Sequence, residues 1–257
     1  MNSDKLIIAG KEIKSRFFAG TGKFSSAELM LETVKASGAD IVTVAVRRLN
    51  EDLPGMGQAM DYLAEHCTVV VNTSGAYTAE EAVKIAKIAV NAGLPKWVKV
   101  ELTPDPLTLL PDPIETLKAC EMLVKEGFVV LPYINTDPIL AKRLEDIGVA
   151  AVMPLGSMIG TNRGIIDKEQ MMSIIERANI PVVVDAGIGR PSHAAEAMEM
   201  GADAVLANSA LAVADNSVLI GEAFKLAVEA GRKGYLSGFP DVGRVASASS
   251  PLTGFLD

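Results

Sequence analysis

Lys99 and Glu101 lie in the middle of a short apolar segment, Trp97–Leu102, that has the pattern of a β-strand. Because strand side chains alternate between two faces, Lys99 and Glu101 share one face with Trp97. A strand covered by helices gives neither charge an easy route to water, and burying an ammonium is costly unless it is paired or deprotonated. The segment is therefore consistent with a nucleophilic amine served by a carboxylate, or with a structural ion pair.

Asp185 is also a charge in an apolar segment and therefore needs a partner, because it is the lone charge after the valines of Pro181–Asp185. Together with Lys99 and Glu101 it would make an amine flanked by two carboxylates. Burial lowers the pKa of a lysine from about 10.4, whereas neighbouring carboxylates raise it. The sequence does not decide which effect is larger.

The elements that must position these groups alternate regularly. Eight apolar strand candidates recur roughly 20–30 residues apart, the length of a strand–loop–helix unit. They are Phe17–Ala19, Asp40–Val46, Thr68–Val71, Trp97–Leu102, Phe128–Tyr133, Ala150–Pro154, Pro181–Asp185 and Ala204–Ala207. The helical patterns between and after them are Ser25–Ser37, Gly57–Glu65, Ala79–Ala92, Ile114–Glu126, Pro138–Ile147, Lys168–Arg177, Ser192–Met200 and Val218–Arg232.

The helix boundaries support one repeated unit. Serine, threonine or aspartate precedes several helices, and glycine stands where C-terminal caps belong: Gly38, Gly93, Gly127, Gly148 and Gly201. Eight such units predict an α/β protein, a single (β/α)8 TIM barrel over residues 1–257, with Leu6–Ile13 as a short N-terminal hairpin that plugs the barrel bottom. A doubly wound open sheet is the structural alternative.

In such barrels the active site forms at the carboxyl ends of the strands, so the residues that follow each strand are candidates. In strand order these are Gly20–Lys23, Arg47–Arg48, Asn72–Gly75, Lys99–Glu101, Tyr133–Asn135, Leu155–Ser157, Asp185–Gly187 and Asn208–Ser209. Polar residues occur at every one of these ends, which is the pattern of a site and not of a core.

The last three strand ends predict a phosphate site. Pro154–Ser157 and Asp185–Gly189 carry glycine, which lets backbone N–H groups approach phosphate oxygens closely, and Asn208–Ala210 follows them. A tight turn would require the same glycines. The loop Met158–Gly164 is long enough to close over a ligand, or it is simply mobile.

Composition excludes several classes of function. The formal net charge of −8 argues against a nucleic-acid backbone as partner, and 49% hydrophobic with 22% charged residues is typical of a compact soluble protein. No long apolar run and no signal-peptide core are present, so we expect a cytoplasmic protein.

The cysteines and histidines give no sign of a metal site or of a thiol nucleophile. Cys67, Cys120, His66 and His193 are not spaced as metal ligands, and we expect no metal or cofactor. Both cysteines are expected to be small buried hydrophobes. His193 is expected to have a surface or capping role at the start of a helix.

With these residues identified, the chain resembles bacterial thiazole synthase, which makes the thiazole phosphate of thiamine. The resemblance extends from Phe18–Gly22 to Ala248–Leu252. Its most specific blocks are Trp97–Glu101, Leu110–Pro113, Val152–Ser157, Val184–Gly189 and Val205–Ala210.

The resemblance implies that the enzyme condenses 1-deoxy-D-xylulose 5-phosphate, dehydroglycine (iminoacetate) and the C-terminal thiocarboxylate of a sulfur-carrier protein. Lys99 matches the lysine that forms an imine with the sugar ketone, and Glu101 and Asp185 match positions suited to acid–base steps. Substrate-binding positions match Gly156, Ala186, Gly187, Asn208 and Ser209. A homodimer or homotetramer is also implied. Two cysteines without a site pattern fit an enzyme whose sulfur arrives already activated.

Two other functions fit the residue pattern alone. A Schiff-base aldolase acting on a phosphorylated sugar would also use a buried lysine and a phosphate site, but it would need no protein partner. A non-catalytic barrel that binds a phosphorylated metabolite would keep Lys99 protonated and ion-paired. Fold alone does not separate these functions, nor a barrel that makes another phosphorylated metabolite without covalent chemistry.

Overall fold

The computed structural model of the protein describes residues 4–45 and 54–249. The chain begins with a two-stranded antiparallel hairpin, and eight parallel strands follow. The hairpin strands are β1 (Leu6–Ile8) and β2 (Lys11–Ile13). The parallel strands are β3 (Phe17–Gly20), β4 (Ile41–Ala45), β5 (Thr68–Asn72), β6 (Trp97–Val100), β7 (Val129–Ile134), β8 (Met153–Pro154), β9 (Val183–Val184) and β10 (Ala204–Ala207).

The parallel sheet closes into a barrel. Its hydrogen-bonded order is β8-β7-β6-β5-β4-β3-β10-β9, and parallel bridges Val152–Val182 and Leu155–Asp185 connect the two outer strands of that order. Asp185 N–H donates to the Pro154 carbonyl at 3.0 Å as part of this closure. The predicted (β/α)8 barrel is confirmed, and the alternative of an open doubly wound sheet is excluded.

Helices cover the outside of the barrel. In the described ranges they are α1 (Ala27–Ser37), α2 (Met56–His66), α3 (Ala79–Asn91), α4 (Pro113–Lys125), α5 (Pro138–Asp146), α6 (Lys168–Arg177), α7 (Pro191–Glu199), α8 (Ser209–Ala212) and α9 (Ser217–Ser237). Side chains of Ser26, Thr78, Asp112 and Asp137 accept the first N–H groups of their helices, and the five predicted glycines all have positive φ at helix ends. None of these helices is long and apolar enough to cross a membrane.

The hairpin fills the lower end of the barrel, as predicted. Leu6, Ile8 and Ile13 are buried in one cluster with inward-facing barrel residues such as Phe18 and Leu131. The other face of each strand packs on the helices: Val98, Val100 and Leu102 are buried against residues of α3 and α4. Apolar packing below and outside therefore leaves the upper end of the barrel interior for polar side chains.

Some predicted strands are shorter in the structure. Only β8 and β9, with single bridges beside them, form in place of the predicted strands Ala150–Pro154 and Pro181–Asp185. Each predicted strand contains a proline, Pro154 or Pro181, which has no N–H to donate. The Trp97–Leu102 strand ends at Val100, where Glu101 N–H donates to Thr73 Oγ1 at 2.9 Å, and Leu102 makes a single bridge to Ala76. The predicted strand end at Arg47–Arg48 lies outside the described residues.

Candidate functional site

Lys99, Glu101 and Asp185 meet at the upper end of the barrel interior. Lys99 Nζ lies 2.6 Å from Asp185 Oδ2 and 3.0 Å from Glu101 Oε2. The relative exposures of Lys99, Glu101 and Asp185 are 5%, 6% and 3%. The alternating pattern of β6 puts Lys99 and Glu101 on the inner face, and the β8–β9 closure brings Asp185 to them. The three side chains are therefore arranged as predicted, with the Lys99 amine between two carboxylates.

The three groups have unequal tendencies to hold a proton. Burial lowers the pKa of Lys99, but the charges of Asp185 and Glu101 together outweigh it, so the Lys99 pKa is raised. Burial raises the pKa of Asp185, and Lys99 only partly offsets this. Burial also acts on Glu101, but Lys99 and the Asn72 amide overcome it and lower the Glu101 pKa. Lys99 is therefore an ammonium at rest, and Asp185 is the carboxylate better able to take its proton.

Two further side chains complete the surroundings of Lys99. Asn72, at the end of β5, donates from Nδ2 to Glu101 Oε2 at 3.0 Å and fixes that carboxylate. The ring of Tyr133, on β7, is fully buried, and its centroid lies 5.1 Å from Lys99 Nζ. Burial and the two nearby carboxylates raise the pKa of the Tyr133 hydroxyl, which has no hydrogen-bond partner among the described residues.

A cavity of about 240 Å³ opens over this cluster. Its floor includes Lys99, Glu101 and Asp185, and its walls come from the loops after several barrel strands. Those walls include Thr21, Gly22, Lys23, Asn72, Leu109, Ile159, Gly160, Asn162, Ala186, Gly187, Asn208 and Ser209. The volume suits a small metabolite, and the Lys99 amine lies at the floor.

The loops after β8 and β9 interlock beside the cavity. Gly156 N–H donates to the Asp185 carbonyl at 2.8 Å, and Gly164 N–H donates to the Gly187 carbonyl at 2.9 Å. Ala186 and Gly187 both have positive φ, 57° and 71°, and a Cβ on Gly187 would overlap Ser157 Oγ. The segment 156–164 is thus held against the β9 loop and forms part of the cavity wall.

The predicted substrate-binding residues fall into two groups. Ala186, Gly187, Asn208 and Ser209 line the cavity, next to one another at the ends of β9 and β10. Gly156 is not among the lining residues; its N–H is bonded to Asp185, and a Cβ there would lie 3.0 Å from the Gly164 carbonyl oxygen. Gly156 therefore contributes to the packing of the two loops.

Sequence reasoning gave no role to Lys23, Asn72 or Tyr133, although all three stand at predicted strand ends. His193 was expected to have a surface or capping role, and its side chain does bond backbone just before α7. His193 Nδ1 accepts from Gly189 N–H at 3.3 Å, and its ring lies 3.0 Å from where a Cβ of Gly164 would be. His193 thus supports the loops beside the cavity, and burial lowers its pKa. The sequence carried no signal for this contact.

Neither cysteine belongs to the site. Cys67 is half-buried and Cys120 fully buried, and neither lines the cavity. Burial raises the pKa of Cys67 to about 11 and that of Cys120 further, so neither thiol is an activated nucleophile. Within residues 4–45 and 54–249, no group of three or more histidine, cysteine or carboxylate side chains is placed to hold a metal ion.

Comparisons with known proteins match this chain to one family. Residues 7–251 match the family described as "Thiazole biosynthesis protein ThiG". The chain is 58% identical over 251 residues to a thiazole synthase of Syntrophobacter fumaroxidans, covering 98% of each chain. It is 54% identical to that of Moorella thermoacetica, covering 99% of each.

A solved structure, that of the Amycolatopsis orientalis BexX/CysO complex, contains a chain similar to this one. The TM-score is 0.84 at 34% identity, with 93% of this chain and 98% of that chain covered. The protein belongs to the thiazole synthase family of thiamine biosynthesis.

Proposed function

We propose that this protein condenses 1-deoxy-D-xylulose 5-phosphate, dehydroglycine and the thiocarboxylate of a sulfur-carrier protein into thiazole phosphate carboxylate, through an imine on Lys99. The observation that carries the proposal is the contact of the buried Lys99 amine with two carboxylates at the floor of a metabolite-sized cavity. Family membership supports the reaction as a whole.

In the first step, Lys99 Nζ attacks the ketone carbon of the sugar phosphate. The ammonium must lose one proton before attack, and loss of water from the carbinolamine then leaves the imine. Asp185 is the proton acceptor in this proposal because its oxygen is 2.6 Å from Nζ and its pKa is raised. The imine carries carbonyl reactivity along the carbon chain, where sulfur can be attached.

Glu101 has a different part in the proposal. Its lowered pKa and its bond from Asn72 keep it ionised, so it provides a fixed negative charge beside the nitrogen. A protonated imine is a cation like the ammonium it replaces, and the same charge stabilises both. Glu101 also stays within reach for later proton transfers on the substrate carbons.

The phosphate end of the sugar fits the loops after β8, β9 and β10. Ala186, Gly187, Asn208 and Ser209 line the cavity there, and Gly156 packs against the Ala186 carbonyl. Positive φ at Ala186 and Gly187 turns successive backbone groups toward one side, an arrangement that suits an anion. The four residues that line the cavity are our proposed phosphate-binding set, and Gly156 supports them by holding the two loops together.

A partner protein would deliver the sulfur. The BexX chain, which resembles this protein, was crystallised in complex with a second protein, CysO. A carrier with a flexible C-terminal tail would insert that tail toward Lys99, past the wall formed by Ile159, Gly160 and Asn162. The raised pKa values of both cysteines agree with a sulfur source outside this chain.

Reconstitution tests the proposal. The purified protein is incubated with 1-deoxy-D-xylulose 5-phosphate, glyoxylate with ammonia as a source of dehydroglycine, and a thiocarboxylated carrier, and the products are followed by mass spectrometry. We expect thiazole phosphate carboxylate only when all components are present. Cleavage of a sugar phosphate without the carrier would identify an aldolase instead, and binding without turnover would identify a metabolite-binding barrel.

A further inference from the structure

Lys23 differs from Lys99 in its electrostatic surroundings. It follows β3, lines the cavity, and its Nζ lies 3.1 Å from Ser209 Oγ. No ion pair joins it to a carboxylate within the described part of the chain. Lys99, by contrast, contacts two carboxylates. The Lys23 ammonium is therefore held by a hydroxyl and remains available to an anion.

The charge balance of the cavity shows why such an ammonium matters. Of the described residues that line it, the ionisable ones are Lys23, Lys99, Glu101 and Asp185. Lys99 with its two carboxylates carries a formal charge of −1, which repels a dianionic phosphate. Lys23 brings the formal sum of these four described residues to zero, and its charge lies beside Ser209, at the proposed phosphate end.

The Lys23 ammonium lies close to two walls of the cavity. Lys23 has a φ of 70°, an unusual value for a lysine, and its Nζ lies 4.0 Å from where a Cβ of Gly160 would be. The ammonium thus stands between Ser209 and the 156–164 segment, at the rim of the cavity. An anion that accepts a hydrogen bond from Ser209 comes within reach of Lys23 as well.

We propose that Lys23 is the cation that neutralises the substrate phosphate and makes the site specific for a phosphorylated sugar. This inference rests on the proposed function for the identity of the sugar, but the phosphate contact stands on its own. A charge-assisted bond to phosphate is stronger than a neutral one, and its loss leaves the negative floor uncompensated.

The test uses the full-length protein and inorganic phosphate as the probe, with affinity measured by calorimetry. We expect Lys23→Met to weaken phosphate binding by about tenfold or more, and Lys23→Arg to retain most of it. Both variants keep a Cβ at the same positive φ, so backbone strain is matched. Lys84→Met, on the exposed face of α3 outside the cavity, removes the same charge and should bind as the wild type does.

A second measurement gives specificity. Borohydride trapping is compared for 1-deoxy-D-xylulose 5-phosphate and unphosphorylated 1-deoxy-D-xylulose, and Lys23→Met should lose far more with the phosphorylated sugar. Equal losses for both sugars, unchanged phosphate affinity, or no saturable phosphate binding by the wild type would overturn the assignment. If phosphate binding depends on Lys23 but no thiazole product forms, the proposed reaction fails and the phosphate contact stands.

Discussion

Lys99 Nζ lies closer to Asp185 Oδ2, at 2.6 Å, than to Glu101 Oε2, at 3.0 Å, although Glu101 is its neighbour on the same strand. Barrel closure creates the shorter contact, since Asp185 follows β9 and Lys99 lies on β6. The closer carboxylate is also the one whose pKa is raised. The two carboxylates are therefore unequal: Lys99 donates its hydrogen bond to Glu101, whereas Asp185 is the closer ion-pair partner.

Replacing Lys99 separates chemistry from stability. Lys99→Arg keeps a cation between the carboxylates but has no nucleophilic amine at neutral pH, so we expect a folded protein without turnover. Lys99→Ala also loses turnover and leaves two buried carboxylates without their cation, which costs about 3–5 kcal/mol. Thermal unfolding of both variants beside the wild type checks this.

The stability loss of Lys99→Ala should depend on pH. Without the cation, the folded-state pKa values of Glu101 and Asp185 rise above the ordinary 4.5 and 3.8. The folded state then binds more protons than the unfolded state, so stability falls as pH rises through this window. The deficit should be largest at neutral pH and shrink toward pH 4, as measured by denaturation at each pH. A deficit independent of pH would contradict the charge argument.

Asp185→Asn should make the amine of Lys99 easier to deprotonate. Asp185 is a major cause of the raised Lys99 pKa, and burial lowers that pKa once the charge is gone. At neutral pH we expect faster reductive methylation of Lys99 by formaldehyde and cyanoborohydride, by about tenfold for each unit of pKa lost. Turnover should nevertheless slow, because the proton acceptor is missing, while imine trapping persists. Loss of trapping would instead assign Asp185 to substrate binding.

The ring of Tyr133 lies beside Lys99 Nζ, and its hydroxyl has no hydrogen-bond partner among the described residues. A buried hydroxyl without a partner costs about 1–3 kcal/mol, so Tyr133→Phe should be at least as stable as the wild type. Tyr133→Leu removes the ring beside the ammonium and should lose stability and trapping together. Chemical denaturation and trapping rates measure both. An inactive but stable Phe variant would show that the hydroxyl takes part in proton transfer.

Gly187→Ala tests the junction of the two loops. The substitution adds a Cβ at φ 71° that overlaps Ser157 Oγ, so both the strain and the displaced loop should weaken phosphate binding and the fold. Gly10→Ala is a matched control, because Gly10 has φ 78° and open space around its missing Cβ. The control should cost only the conformational penalty of about 1–2 kcal/mol. Equal effects of the two substitutions on phosphate affinity would contradict the proposed phosphate site.

Local sequence patterns predicted the barrel well because each strand–helix unit repeats the same kind of strand and the same kind of helix cap. Alternation in Trp97–Leu102 placed Lys99 and Glu101 on the inner face, and glycines after the helices marked the left-handed caps. The carboxyl ends of parallel strands meet at one end of a barrel, so the candidate residues could be collected without knowledge of any contact.

Distances between residues that are far apart in the chain could not be predicted from the sequence. The balance of burial and charge at Lys99 depends on distances to Asp185 that only barrel closure sets. Gly156 was predicted to bind substrate, but its N–H is used between loops. Lys23 is exposed, so the periodicity of apolar residues gives no information about its contacts. The bond between Gly189 N–H and His193 depends on a turn that no sequence pattern indicates.

Borohydride trapping with 1-deoxy-D-xylulose 5-phosphate, followed by peptide mass spectrometry, tests the central claim most directly. Among the described residues that line the cavity, Lys23 and Lys99 carry amines, so the position of the adduct decides between them. We predict one reduced adduct on Lys99 that is absent from Lys99→Arg. An adduct on Lys23, or phosphate-dependent binding with no adduct at all, would contradict an imine mechanism at Lys99 and return Lys99, Glu101 and Asp185 to a structural ion-pair cluster.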